Sequence, residues 1–228
     1  MYSEVTIPLF PLEVVLMPSM SLPLHIFEER YKLMIAECLE QRKEFGVVYQ
    51  RSSEMKTIGC TARILKILRR FDDGRLDIIT QGVSRFTIER IQEDKAYLQA
   101  EVTYFDDETQ ETSYETKILI RDGVKLLEKL DAITGKKRDY MRLSQLDPKT
   151  ISFVLSHGDG FTPEEKQRFL EMTSTSQRIS QSVNSLKILV EKQVYLQEVK
   201  KIIDGNGDAR KAISGMQKGH ADAETTQV

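Results

Sequence analysis

Between residues 46 and 105 the apolar residues of this chain fall in short β-prone runs, and after residue 112 they recur at helical spacing. That switch of period constrains the fold most, because it predicts strands first and helices last, an α+β chain rather than alternating β-α units. The runs are "GVVYQ" (46–50), "GCTARILKILRR" (59–70), "LDIITQG" (76–82), "SRFTIERIQ" (84–92) and "AYLQAEVTYF" (96–105), spaced as in a small barrel or folded sheet. Asp73-Gly74 supplies the backbone freedom of a tight hairpin turn, and Gly82 marks a bend or bulge before Arg85 and Phe86.

Ahead of these runs, "IPLFPLEVVLMPSMSLPLHIFEERY" (7–31) places four prolines among large apolar residues. Such a stretch fits extended segments that cannot pair continuously in a sheet and that cover a barrel wall. A helix is expected from Ile26 to about Gln41, with Phe27, Tyr31, Met34, Ile35, Cys38 and Leu39 on its apolar side. Past the polar stretch "YFDDETQET" (104–112), Ile118, Leu119, Val124, Leu126, Leu127 and Leu130 form a helical stripe, with Gly123 as a weak point. Asp147-Pro148 and Thr162-Pro163, the latter with Glu165 completing a capping box, predict two further helix starts. A last helix is expected from within 174–177 to about Ile203. The domain reading is a β-rich barrel with one helix over 1–108, an α-helical bundle over 109–204, and a disordered tail over 205–228.

Composition narrows the chemistry. At 228 residues and 40% hydrophobic content the chain can bury a sizeable core, and 33 basic against 35 acidic residues create no bulk field toward nucleic acid. Cys38 and Cys60 lie in apolar surroundings without metal-pair spacing and read as buried free thiols of a reducing cytoplasm. Neither a secretory leader nor a membrane span is expected. A P-loop fails because Gly135-Lys136 is followed by Lys137, and no nucleophile elbow or H-E-x-x-H helix occurs. His25, His157 and His220 are scattered, and "SHGDGF" (156–161) fits loop geometry better than a ligand site. Basic residues at Lys66, Arg69, Arg70 and Arg75, and at Lys136, Lys137 and Arg138, form short groups read as solvated surface. No catalytic residue, metal or cofactor is expected.

The opening stretch resembles the start of the N-terminal substrate-binding domain of the ATP-dependent Lon proteases, particularly its stand-alone bacterial versions. "GCTARILKILRRFDDGRLDIITQGVSRFTIERI" (59–91) is similar to a second block of that family, with Gly82, Arg85 and Phe86 in its Gly-x-x-Arg-Phe strand. "FLEMTSTSQRISQSVNSLKILVEKQ" (169–193) resembles its closing helix junction, with Arg178 at the characteristic arginine. The resemblance implies a PUA-like pseudo-barrel followed by a helical bundle, and a role in binding protein substrates. It also implies that the ATPase and serine-lysine peptidase modules of a whole Lon protease are missing, so a non-enzymatic recognition module is expected.

Its partners would be unfolded or specific client proteins, with a separate protease or chaperone alongside. RNA binding through the PUA-like barrel, and a regulatory small-ligand site between barrel and bundle, are the alternatives. For a protein-binding surface the sequence offers Leu9, Phe10, Met17 and Met20 of the opening stretch, and the face of Glu28, Glu29 and Lys32.

Overall fold

Strand β1 (Val5–Leu12) solves the proline problem by changing partners midway. Val5 to Pro8 pair antiparallel with β6 (Gln99–Phe105), and Leu9 to Leu12 pair parallel with β3 (Phe45–Arg51). Neither partner needs a continuous ladder along β1, so Pro8 and Pro11 are accommodated. β4 (Glu54–Arg70) and β5 (Leu76–Gln92) are each 17 residues long and form the hairpin expected at Asp73-Gly74, where Gly74 has φ +82°. The two runs expected at 76–82 and 84–92 are one strand.

The second half of β5 pairs with β6, which closes the sheet into a barrel in the order β5-β4-β3-β1-β6. The first half carries β2 (Ser21–Ile26) on its other side, so β2, β5 and the end of β4 make an arm projecting from the barrel. The computed structural model describes residues 5–109, 111–143 and 145–221, with side chains described as far as Ile203.

Phe86 fills the barrel. A Cβ on Gly46 or Gly59 would stand 2.7 or 2.5 Å from its ring, so the two glycines are the room the phenyl group occupies. Leu9, Ile7, Ala100 and Val102 complete this inner cluster. Outside, helix α1 (Glu29–Gln41) lays Tyr31, Met34, Ile35 and Cys38 on the sheet. It starts three residues later than the periodicity suggests, and Phe27, expected in its apolar stripe, is left outside at 59% exposure.

The α+β class holds. Among the described residues six helices accompany the six strands: α1, α2 (Tyr114–Thr134), α3 (Tyr140–Leu143), α4 (Pro148–Ser156), α5 (Pro163–Glu171) and α6 (Thr175–Ala221). Asp147 caps α4 by accepting from Thr150 N, and Thr162 with Glu165 forms the expected capping box on α5. Gly123 is no weak point. A Cβ there would meet Leu155 and Val183 at 2.9 Å, so the glycine is the room in which side chains of α4 and α6 pack against α2. The backbone of α6 continues as helix through 205–221, which the sequence reading assigned to a disordered tail, and 222–228 lie outside the described residues.

Candidate functional site

The apolar residues expected at the surface in the opening stretch are mostly not there. Leu9 is buried inside the barrel and Phe10, one residue on, points to the opposite face, its ring 4.1 Å from Tyr31 and 6.1 Å from Phe45. Strand alternation sends one residue into the barrel and the next under α1, so both faces of β1 are covered. Met17 is fully buried and Met20 is half-buried against the same core. Leu9, Phe10 and Met17 are therefore wall residues.

Glu28, Glu29 and Lys32 sit at the start of α1, and Lys32 holds the tip of the β4–β5 hairpin. Lys32 Nζ donates to Glu29 Oε1 (2.8 Å) and to the Asp73 carbonyl (2.9 Å), while Glu28 accepts from Arg30 Nε at 2.9 Å. His25 stacks on Phe27 at 5.9 Å, meets Phe71 edge-on and lies 2.6 Å from Asp77. Arg69 and Arg75 sit over the Phe71 ring at 4.3 and 4.7 Å. Arg69 and Arg75, half of the basic cluster expected here, are thus engaged within the hairpin, whereas Lys66 and Arg70 have no ion-pair partner among the described residues.

Beside this latch lies a surface that the candidate residues missed. The register of β4 against β5 shifts between Ile64 and Lys66 and again between Ile67 and Arg69, which leaves Leu65 and Leu68 out of the ladder. They are 52% and 55% exposed. In the neighbouring strands Pro23 pairs with Ile79, and alternation against buried Ile78 turns both outward on the same face. Pro23, Ile79, Leu65 and Leu68 thus make an apolar outer face on the arm, near Phe27. The signal was present in "RILKILRR": apolar pairs at a spacing of three cannot all face inward from a strand of period two.

The free edges of the arm are poor templates for an added strand. Beyond Ala62, β4 has β5 on one side and no strand on the other among the described residues, but its two bulges break the row of backbone groups. β2, unpaired on its outer side, carries Pro23. Such devices blunt strand edges, so the side-chain face is the accessible feature.

Barrel and bundle are joined by two buried arginines around one carboxylate. Arg85 Nη1 donates to the carbonyls of Leu170 (2.9 Å) and Met172 (2.5 Å), and its Nη2 donates to Asp107. Arg178 donates from Nε to Ser152 Oγ (2.8 Å), from Nη1 to Met172 O (2.7 Å) and to Asp107 (3.2 Å), and from Nη2 to Asp107. Burial holds Arg85 below the usual guanidinium range, with Asp107 opposing that shift. Cys38 and Cys60 are buried free thiols, which burial pushes up to about 11 and about 12.

Residues 6–187 match the family described as the ATP-dependent protease La (LON) substrate-binding domain. The chain belongs to this family.

Among its relatives is the Lon protease of Xanthomonas oryzae pv. oryzae, 26% identical over 212 residues that make up 87% of this chain and 24% of that protein. The Lon protease of Parabacteroides distasonis is 28% identical over 187 residues, 76% of this chain and 22% of that protein. The chain spans about a quarter of the length of these Lon proteases. A crystal structure of a Lon N-terminal domain protein from Xanthomonas campestris aligns with TM-score 0.62 at 23% identity, covering 78% of this chain and 96% of that one. The N-terminal domain of Mycobacterium avium complex Lon protease aligns with TM-score 0.63 at 18% identity, covering 80% and 98%. These likenesses support the α+β fold, and the structure gives each residue of the Gly-x-x-Arg-Phe strand a place: Gly82 lets the chain pass Met17, Arg85 ties the bundle, and Phe86 plugs the barrel. No helix among the described residues is long and apolar enough to cross a membrane.

Proposed function

We propose that this Lon-family domain is a non-catalytic recognition module that holds extended, apolar segments of client proteins on the outer face of the β2-β5-β4 arm. The observation that carries the reading is the exposure of Leu65 and Leu68 at two successive bulges, where about half of each side chain is left open to a partner. Pro23, Ile79 and Phe27 extend that face, and Lys66, paired across the strands with Ile79, favours segments that also carry acidic residues. Lys32, bonded to Glu29 and to the Asp73 carbonyl, sets the hairpin's position beside it, and Glu29 is the most open of the three residues Glu28, Glu29 and Lys32. The family's description as a substrate-binding domain supports the same role. A protease or chaperone acting on the held client would be a separate module or protein, in a reducing compartment that suits two free thiols.

Fluorescence anisotropy of a labelled, permanently unfolded client tests this. Each leucine has about half its side chain left to bury, about 1 kcal/mol apiece, so Leu65→Ser with Leu68→Ser weakens binding about thirtyfold while leaving Tm within 2 to 3 °C. Unchanged affinity in the folded double variant would reject this surface.

A further inference from the structure

Where the barrel meets the bundle, the groups bonded to one another comprise three cations and two carboxylates. Arg85 and Arg178 share Asp107, and Lys149 Nζ pairs with Asp106 at 2.5 Å, while Asp106 reaches Arg85 only loosely at 3.8 Å. Asp106 is largely solvent-exposed, whereas Arg85 is buried. Arg85 makes its bonds from Nη1 and Nη2, so its Nε–H has no protein acceptor among the described residues. A cleft of about 340 Å³ opens onto this cluster, with Pro18, Ser84 and Phe105 among its walls and Arg85, Asp106 and Lys149 as its charged groups. That volume lies in the range of small-molecule sites, and an apolar wall with a few convergent polar groups is their usual composition.

We propose that this cleft binds a small carboxylate, its anionic group between Arg85 and Lys149 and its apolar body against Pro18 and Phe105. One charge decides the class of ligand: the cluster lacks a single negative charge, which a monoanion supplies and a phosphate dianion would exceed. Asp106 is the internal competitor, holding Lys149 from an exposed position while the Nε–H of Arg85, alone among that guanidinium's bonding groups, has no acceptor among the described residues. An incoming carboxylate reaches both cations and the Ser84 hydroxyl, which has no hydrogen-bond partner among the described residues. The site is independent of the arm's apolar face.

A carboxylate of this kind occurs in free metabolites and at the C-terminus of a polypeptide. Titrating the full chain with phenylacetate, phenylacetamide, and a tetrapeptide ending in phenylalanine as its free acid or amide, followed by backbone amide NMR shifts of Val83–Arg85 and Asp106, distinguishes the two. The acids saturate these shifts at concentrations about tenfold or more below the amides, and whichever acid saturates first names the source. Lys149→Gln weakens the acids about fivefold, and Asp106→Asn tightens them by a similar factor, because it removes the competitor. Both positions are exposed enough for the variants to remain folded, which thermal melting checks. Equal binding of acid and amide, absence of saturable shifts, or weaker binding by Asp106→Asn would overturn the proposal.

Discussion

Replacing Asp107 by alanine removes the carboxylate shared by Arg85 and Arg178, and the structure sets both the size and the form of the expected loss. The carboxylate is 5% exposed and accepts from both guanidinium groups and from the Thr175 hydroxyl. Deleting one partner of a buried ion pair typically costs 3 to 5 kcal/mol, because the remaining charge stays desolvated. Here the carbonyls of Leu170 and Met172 and the Ser152 hydroxyl still serve the arginines, which places the loss near the lower end, about 3 kcal/mol. For a chain of this size that corresponds to a fall in Tm of about 6 to 12 °C. Asp107→Asn keeps an acceptor and loses the charge, so it falls between the wild type and alanine.

Because the cluster joins barrel to bundle, the alanine variant should also lose cooperativity. Urea unfolding followed by far-UV circular dichroism, dominated by the helices, and by tyrosine emission should give coincident transitions in the wild type and separated ones in Asp107→Ala. A loss below about 1 kcal/mol with coincident transitions would refute the view that this carboxylate couples the two halves.

Three further outcomes follow from named contacts. A Cβ on Gly82 would stand 2.1 Å from the Met17 carbonyl oxygen, an obstacle that only backbone movement relieves, so Gly82→Ala should cost about 3 kcal/mol in denaturant unfolding. Burial holds the His157 imidazole down at about 4, so the unfolded chain takes up a proton that the folded chain refuses between about 6.5 and 4. Stability therefore rises with pH across that window and is lost as pH falls, by up to about 3 kcal/mol, and His157→Gln should flatten the part above pH 5 in urea titrations. Cys38 and Cys60 should react with a thiol reagent only at the rate of unfolding, and a fast-reacting thiol in the native protein would contradict their burial.

Features written in neighbouring residues were legible before any coordinates. The Asp73-Gly74 turn and the caps at Asp147 and Thr162 depend on a few adjacent groups, and local chemistry dictates them. β1 and β2 were harder to read as strands, because their prolines are tolerated only by partners from 37 to 91 residues away in sequence. Asp107 lay hidden in a polar linker. Its role appears only when Arg85 of β5 and Arg178 of α6 converge on it, a meeting that no local pattern announces. Leu65 and Leu68 were missed as surface for a related reason: an apolar strand residue is presumed to face inward until the register shows the bulge.

The way β1 closes the barrel has a consequence for synthesis. One of its two flanking strands, β6, ends at Phe105, so the first stave of the barrel cannot be locked in place until the last has left the ribosome. At typical elongation rates the interval between Leu12 and Phe105 is about 5 to 20 s. For that time Val5 to Pro8 belong to an apolar segment whose strand partner is not yet made, while Leu9 and Phe10 wait only until β3 is complete at Arg51. Pro8 and Pro11, which look like interruptions in the finished barrel, keep that segment from zipping onto another nascent strand while it waits.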